Sequence, residues 1–84
     1  MLIIFVYGCS SCGVNAEHVR RVKRYAIANG FEVEIKNTRY NKEAAQDHLR
    51  FLFEELDIKG NYAPIVYHDG KVTLLKDFAN TWNS

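Results

Sequence analysis

The chain has 84 residues, of which 48% are hydrophobic and 25% charged, so it reads as one ordinary globular domain spanning residues 1–84 and not as a disordered segment. Its formal net charge of +1 provides no overall field for nucleic acid or for an anionic membrane surface. Two cysteines are too few for a secreted disulfide scaffold, and a pair three positions apart closes almost no loop, which leaves redox or metal chemistry as their use.

Leu2 to Tyr7 is a continuous apolar run ended by Gly8, the pattern of a central strand covered on both faces. It lacks a positively charged leader and is too short to span a bilayer, so a cytoplasmic protein is expected, with no membrane partner. From Ser10 to about Asn29 the pattern is helical: Ala16, Val19, Val22 and Ala26 form an inward stripe, and Glu17, Arg20, Arg21 and Arg24 fall elsewhere. Glu17 stands four residues before Arg21, the spacing of a surface ion pair. Asn29-Gly30 supplies a left-handed stop.

Phe31 to Lys36 alternates strictly, which predicts a strand with one buried and one wet face. Strand, helix and strand then make a right-handed parallel βαβ unit. Asn41 can cap a second helix whose inward stripe is Ala45, Leu49, Leu52, Phe53 and Leu56, with His48 on its wet side. Asp57 to Ala63 is a loop containing Gly60. Pro64–His68 and Lys71–Leu75 flank Asp69-Gly70, a strong two-residue hairpin signal. Asp77 can open a last short helix on which Phe78 and Trp82 lie one turn apart and can pack together. The predicted fold class is α/β, in the order β-α-β-α-β-β-α, with a four-stranded mixed sheet flanked by helices.

The chemistry concentrates at Cys9-Ser10-Ser11-Cys12, where the buried strand hands over to a helix. The first turn of a helix presents unpaired N–H groups and partial positive charge, both of which favour a thiolate. Residues three apart share one helical face, so the two sulfurs can join with little backbone movement. Cys9 precedes the helix and is the expected attacker; Cys12, inside it, is the expected resolver. The hydroxyls of Ser10 and Ser11 can donate toward the Cys9 sulfur. No lysine or arginine stands within five residues of Cys9. A zinc site would need two more ligands, and His18, His48 and His68 lack a ligand spacing, so no metal site is expected; a binding module that uses the cysteines as metal or iron–sulfur ligands is the alternative from another class.

With these residues in hand, the chain resembles the thioredoxin superfamily, and most of all its small dithiol glutaredoxins. The likeness covers essentially the whole length: Val6-Tyr7 ahead of the Cys9–Cys12 pair, Ala63-Pro64 before a strand, the Asp69-Gly70 hairpin, then Asp77. Its tight size is similar to phage-encoded members. The resemblance implies a thioredoxin-like fold and a monomeric thiol–disulfide oxidoreductase that reduces protein or mixed disulfides, as do the family's hydrogen donors of ribonucleotide reductase. It implies that Pro64 is a cis proline beside the cysteines and that Ala63 offers its backbone N–H and C=O to the substrate. It also implies that Asp77 meets a γ-glutamyl amine, while Tyr7 and Tyr62 are candidates for aromatic walls. No tightly bound cofactor is implied. Two reductants are, glutathione or a thioredoxin-reductase-like flavoprotein. Two features depart from the family: the lysine usually found shortly before the first cysteine is missing, and Leu74-Leu75 stand where a Gly-Gly pair admits the glutathione backbone.

Overall fold

The first strand, β1 (Leu2–Val6), is all apolar and takes an interior place in the sheet, whose order is β2-β1-β3-β4. The structure, a computed structural model, describes residues 1–8, 13–59 and 62–81. Its elements follow in the order β1, α1 (Gly13–Ala28), β2 (Val33–Asn37), α2 (Lys42–Leu56), β3 (Ile65–His68), β4 (Lys71–Leu74) and α3 (Leu75–Thr81). β1 pairs in parallel with β2, from Leu2↔Val33 to Val6↔Asn37, and antiparallel with β3, from Leu2↔His68 to Phe5↔Ile65. The sheet is therefore mixed, with three helices, as the residue pattern predicts.

Alternation along β1 divides the core into two layers. Leu2, Ile4 and Val6 point to the face where Val19 and Val22 of α1 and Leu75 and Ala79 of α3 pack. Phe5 points to the opposite face, with Ala44 and Leu52 of α2 and Ile65 of β3. Both faces are covered, which is why β1 carries no polar residue.

The helix ends follow local rules. After α1, Gly30 sits at φ +75°, with its N–H on Ile27 and the Phe31 N–H on Ala26 at 2.8 Å, a Schellman closure that requires the glycine. Asn41 caps α2 by accepting from the Ala44 N–H at 3.1 Å. Asp69 and Gly70 both have positive φ, as a two-residue type I′ hairpin demands, and Tyr67↔Val72 and His68↔Lys71 pair on either side. Glu17 and Arg21 form the expected ion pair at 3.2 Å.

Three expectations are corrected. β2 starts at Val33, two residues later than the alternation predicts, and runs on to Asn37, because its register against β1 begins at Leu2. The buried face of α2 is Ala44, His48 and Leu52, whereas Phe53 is 52% exposed. The helix is thus rotated by about one residue, roughly 100°, from the predicted stripe, and Phe53 instead lies under the Lys59 ammonium at 5.3 Å. Leu75 ends no strand: it opens α3, so Asp77 lies inside that helix and does not start it. Phe78 packs edge-on against Tyr25 at 5.1 Å, and its expected partner Trp82 lies outside the described residues, as does Gly60. Among the described residues no helix is long and apolar enough to cross a membrane.

Candidate functional site

The chain that leads into the cysteines is held by the two residues at the end of β2. The parallel register ends at Val6↔Asn37, so the next polar groups of β1 would go unpaired. The Val6 carbonyl accepts from the Thr38 N–H at 2.8 Å and from the Thr38 hydroxyl at 3.0 Å. Gly8 follows at φ +92°, and the Asn37 amide clamps it from both sides: Oδ1 accepts the Gly8 N–H at 3.1 Å and Nδ2 donates to the Gly8 carbonyl. An amide side chain carries an acceptor oxygen and a donor nitrogen side by side, which lets it meet both the N–H and the carbonyl of one residue. The Asn37 oxygen also takes the Arg39 N–H at 3.1 Å, which fixes the amide's own orientation.

Cys9, Ser10, Ser11 and Cys12 lie outside the described residues. Their flanks are those the sequence predicts: the end of an interior parallel strand before them, and α1 from Gly13 after them.

The second wall is Tyr62-Ala63-Pro64. The Ala63 carbonyl accepts from His48 Nε2 at 2.7 Å, and the Pro64 carbonyl accepts from the Leu75 N–H at 2.9 Å. The cis proline implied by the resemblance is not found: no peptide bond among the described residues is cis, so Ala63–Pro64 is trans. Trans is the intrinsically favoured isomer by about 0.5–1 kcal/mol, and here the carbonyls on both sides of the bond have partners. Pro64 serves as an ordinary strand opener, where its missing N–H removes nothing from the ladder.

Ala63 and Pro64 border an open groove of about 400 Å³ whose other walls include Asn15 and His18 from α1, Leu74 at the end of β4, and Lys76. Asp77 does not line it; it stands exposed in the first turn of α3, one residue beyond the groove-lining Lys76. Tyr7 and Tyr62 do not form two separate walls. Their rings stack on each other at 4.6 Å and 25°, bridging the chain before Cys9 and the chain before Pro64.

His48 overturns its predicted place on the wet side of α2: it is fully buried. Besides the bond to Ala63, its Nδ1 lies 3.4 Å from the Thr38 hydroxyl, and its ring contacts those of Phe5 and Tyr62, each at 5.7 Å. Burial pushes its pKa below the usual 6.5, while the bond to the Ala63 carbonyl pulls the other way. Asn37, Thr38, His48 and Lys76 were all beyond sequence reasoning. The partners of Asn37 and Thr38 lie 29 and 32 residues away, so no local pattern marks them. Among the described residues no three histidines, cysteines or carboxylates gather as metal ligands.

No protein-family model matches this chain. No curated protein and no solved structure matches it either.

Proposed function

We propose that the protein is a monomeric thiol–disulfide oxidoreductase of thioredoxin-like fold, with Cys9 as attacker and Cys12 as resolver. One observation carries this reading: the Cys9-x-x-Cys12 motif joins the clamped end of an interior strand to the first turn of a 16-residue helix. That junction offers a thiolate the unpaired N–H groups and positive end of a helix. The β-α-β-α-β-β-α order and the parallel β1–β2 pair agree with the family the sequence resembles. The groove beside Ala63 and Pro64 gives a substrate chain a place to lie.

The reaction balances in two exchanges. The Cys9 thiolate attacks one sulfur of a substrate disulfide; the substrate S–S bond breaks, a Cys9–substrate mixed disulfide forms, and the first substrate thiolate leaves. Deprotonated Cys12 then attacks the Cys9 sulfur, the second substrate thiolate leaves, and the enzyme holds a Cys9–Cys12 disulfide. The two electrons now in the substrate dithiol are replaced by an external donor, either two glutathione thiols or the dithiol of a flavoprotein reductase. Leu74 on the groove wall narrows the approach for glutathione, and the Leu75 N–H is already committed to Pro64, so a protein dithiol is the better fit.

The test is thiol alkylation against pH together with reduction of insulin disulfides. The expected result is a Cys9 pKa well below the free-thiol value of about 8.5, insulin reduction lost in Cys9→Ser, and a trapped mixed disulfide in Cys12→Ser. An ordinary Cys9 pKa with no insulin reduction refutes the proposal, and zinc bound to the purified protein would favour a metal-binding role. Turnover with glutathione and its reductase, compared with thioredoxin reductase, identifies the donor.

A further inference from the structure

Two polar side chains are buried among the described residues, Thr38 and His48, and they meet each other. A buried imidazole without partners would cost about 1–3 kcal/mol, so its bonds decide what it does. The Ala63 carbonyl can only accept, and at 2.7 Å it therefore requires the proton on His48 Nε2. In the neutral ring Nδ1 is then an acceptor that lies 3.4 Å from the Thr38 hydroxyl, and that hydroxyl bonds the Val6 carbonyl at 3.0 Å. The result is a continuous link from Val6 through Thr38 and His48 to Ala63. Val6 stands three residues before Cys9, and Ala63 directly before Pro64. The stacked rings of Tyr7 and Tyr62 join the same two segments at the surface, and Tyr62 leans edge-on against the His48 ring.

We infer that His48 is a positioning residue: its Nε2–H fixes the Ala63 carbonyl, so that Tyr62-Ala63-Pro64 keeps a set distance from the chain entering Cys9. The inference rests on Cys9 and Cys12 being the redox pair. The resemblance implies that the Ala63 backbone meets the substrate's backbone, and with its carbonyl bonded to His48 the group taken to make that contact is its N–H. A disulfide carried on a peptide depends on that contact to bring its sulfur to Cys9. A small disulfide with no peptide backbone does not.

The experiment compares His48→Gln, whose amide can still donate to Ala63, with His48→Phe, a ring of similar size without a donor. Each is assayed on a disulfide-linked peptide and on bis(2-hydroxyethyl) disulfide. In His48→Phe the ratio of peptide to small-disulfide kcat/KM falls about tenfold, mainly through the peptide KM, which is the effect of one misplaced hydrogen-bonding contact. His48→Gln restores most of it. A ratio equal to wild type in folded His48→Phe overturns the inference, including the case in which both substrates slow equally. If His48→Phe does not fold, His48→Leu takes its place, since it too removes the Nε2–H donor to Ala63; an unchanged ratio there is equally fatal. A wild-type protein that reduces neither disulfide refutes the oxidoreductase reading itself. The positioning role is then read from NMR: the Ala63 carbonyl carbon shifts in His48→Phe, or in His48→Leu where that replaces it, and holds in His48→Gln, and a carbon unmoved throughout overturns it.

Discussion

Replacing Asn37 with alanine removes three hydrogen bonds at once: the Gly8 N–H and Arg39 N–H to Oδ1, and Nδ2 to the Gly8 carbonyl. Each such bond contributes about 0.5–1.5 kcal/mol net. The Gly8 groups are partly buried, so water replaces the amide incompletely, whereas the Arg39 N–H is exposed and loses little. The expected cost is about 2 kcal/mol, set against a total stability of roughly 4–13 kcal/mol for a chain of this length. In thermal unfolding that is a fall in Tm of about 8–16 °C. Asn37→Asp isolates the donor: its carboxylate still accepts from both N–H groups but faces the Gly8 carbonyl with oxygen instead of N–H, so it too is destabilised. Amide exchange at Gly8 accelerates in Asn37→Ala and less so in Asn37→Asp. A Tm for Asn37→Ala within about 2 °C of wild type, an effect below about 0.5 kcal/mol, would show that Gly8 is held by something other than this clamp. It would also remove the main support for an ordered entry into Cys9.

Two further outcomes test the core and its buried histidine. Leu52→Ala, at a fully buried position, should cost about 2–5 kcal/mol in urea unfolding, whereas Phe53→Ser, on the exposed face, should stay within about 0.5–1 kcal/mol; similar costs at the two sites would mean that α2 is rotated toward the predicted stripe. For His48 the folded-state pKa is lowered by burial below the 6.5 of the unfolded chain. The unfolded state therefore binds the proton first. The stability linked to His48 is complete above about pH 6.5 and is lost as the pH falls from there toward the folded pKa, with a slope of at most about 1.4 kcal/mol per pH unit. Urea midpoints from pH 8 to pH 5 should fall more steeply for wild type than for His48→Gln, and parallel curves would contradict the assignment.

Apolar patterning is local, and the elements it governs were legible. The run of β1, the stripe of α1, the Asn41 cap and the Asp69-Gly70 turn are each specified by residues within one turn or one strand, and each stands where the sequence places it, except that β1 ends at Val6 and leaves Tyr7, expected inside the covered strand, half exposed. The face of α2 was not legible, for a physical reason. A rule that sends polar residues outward assigns His48 to solvent and leaves Phe53 to fill the core. The rule fails because both ring nitrogens of His48 have partners, Ala63 and Thr38, 15 and 10 residues away. Once paired, an imidazole is no longer expensive to bury, and Phe53 is free to face water.

The same logic explains why the candidate site divides as it does. Its proposed chemistry rests on a local motif, a cysteine pair three positions apart, which is visible in the sequence itself. Its geometry depends on Asn37, Thr38 and His48, whose value lies in backbone groups that exist as neighbours only after β2 and α2 have packed. Pro64 shows the limit of reading one side alone. A likeness of motif implied a cis bond, but the carbonyls flanking that bond are fixed by His48 and by Leu75, residues outside the motif. If Cys9 has the proposed redox role, substrate alignment there depends less on the proline's isomer than on the buried His48 bond that holds the residue before it.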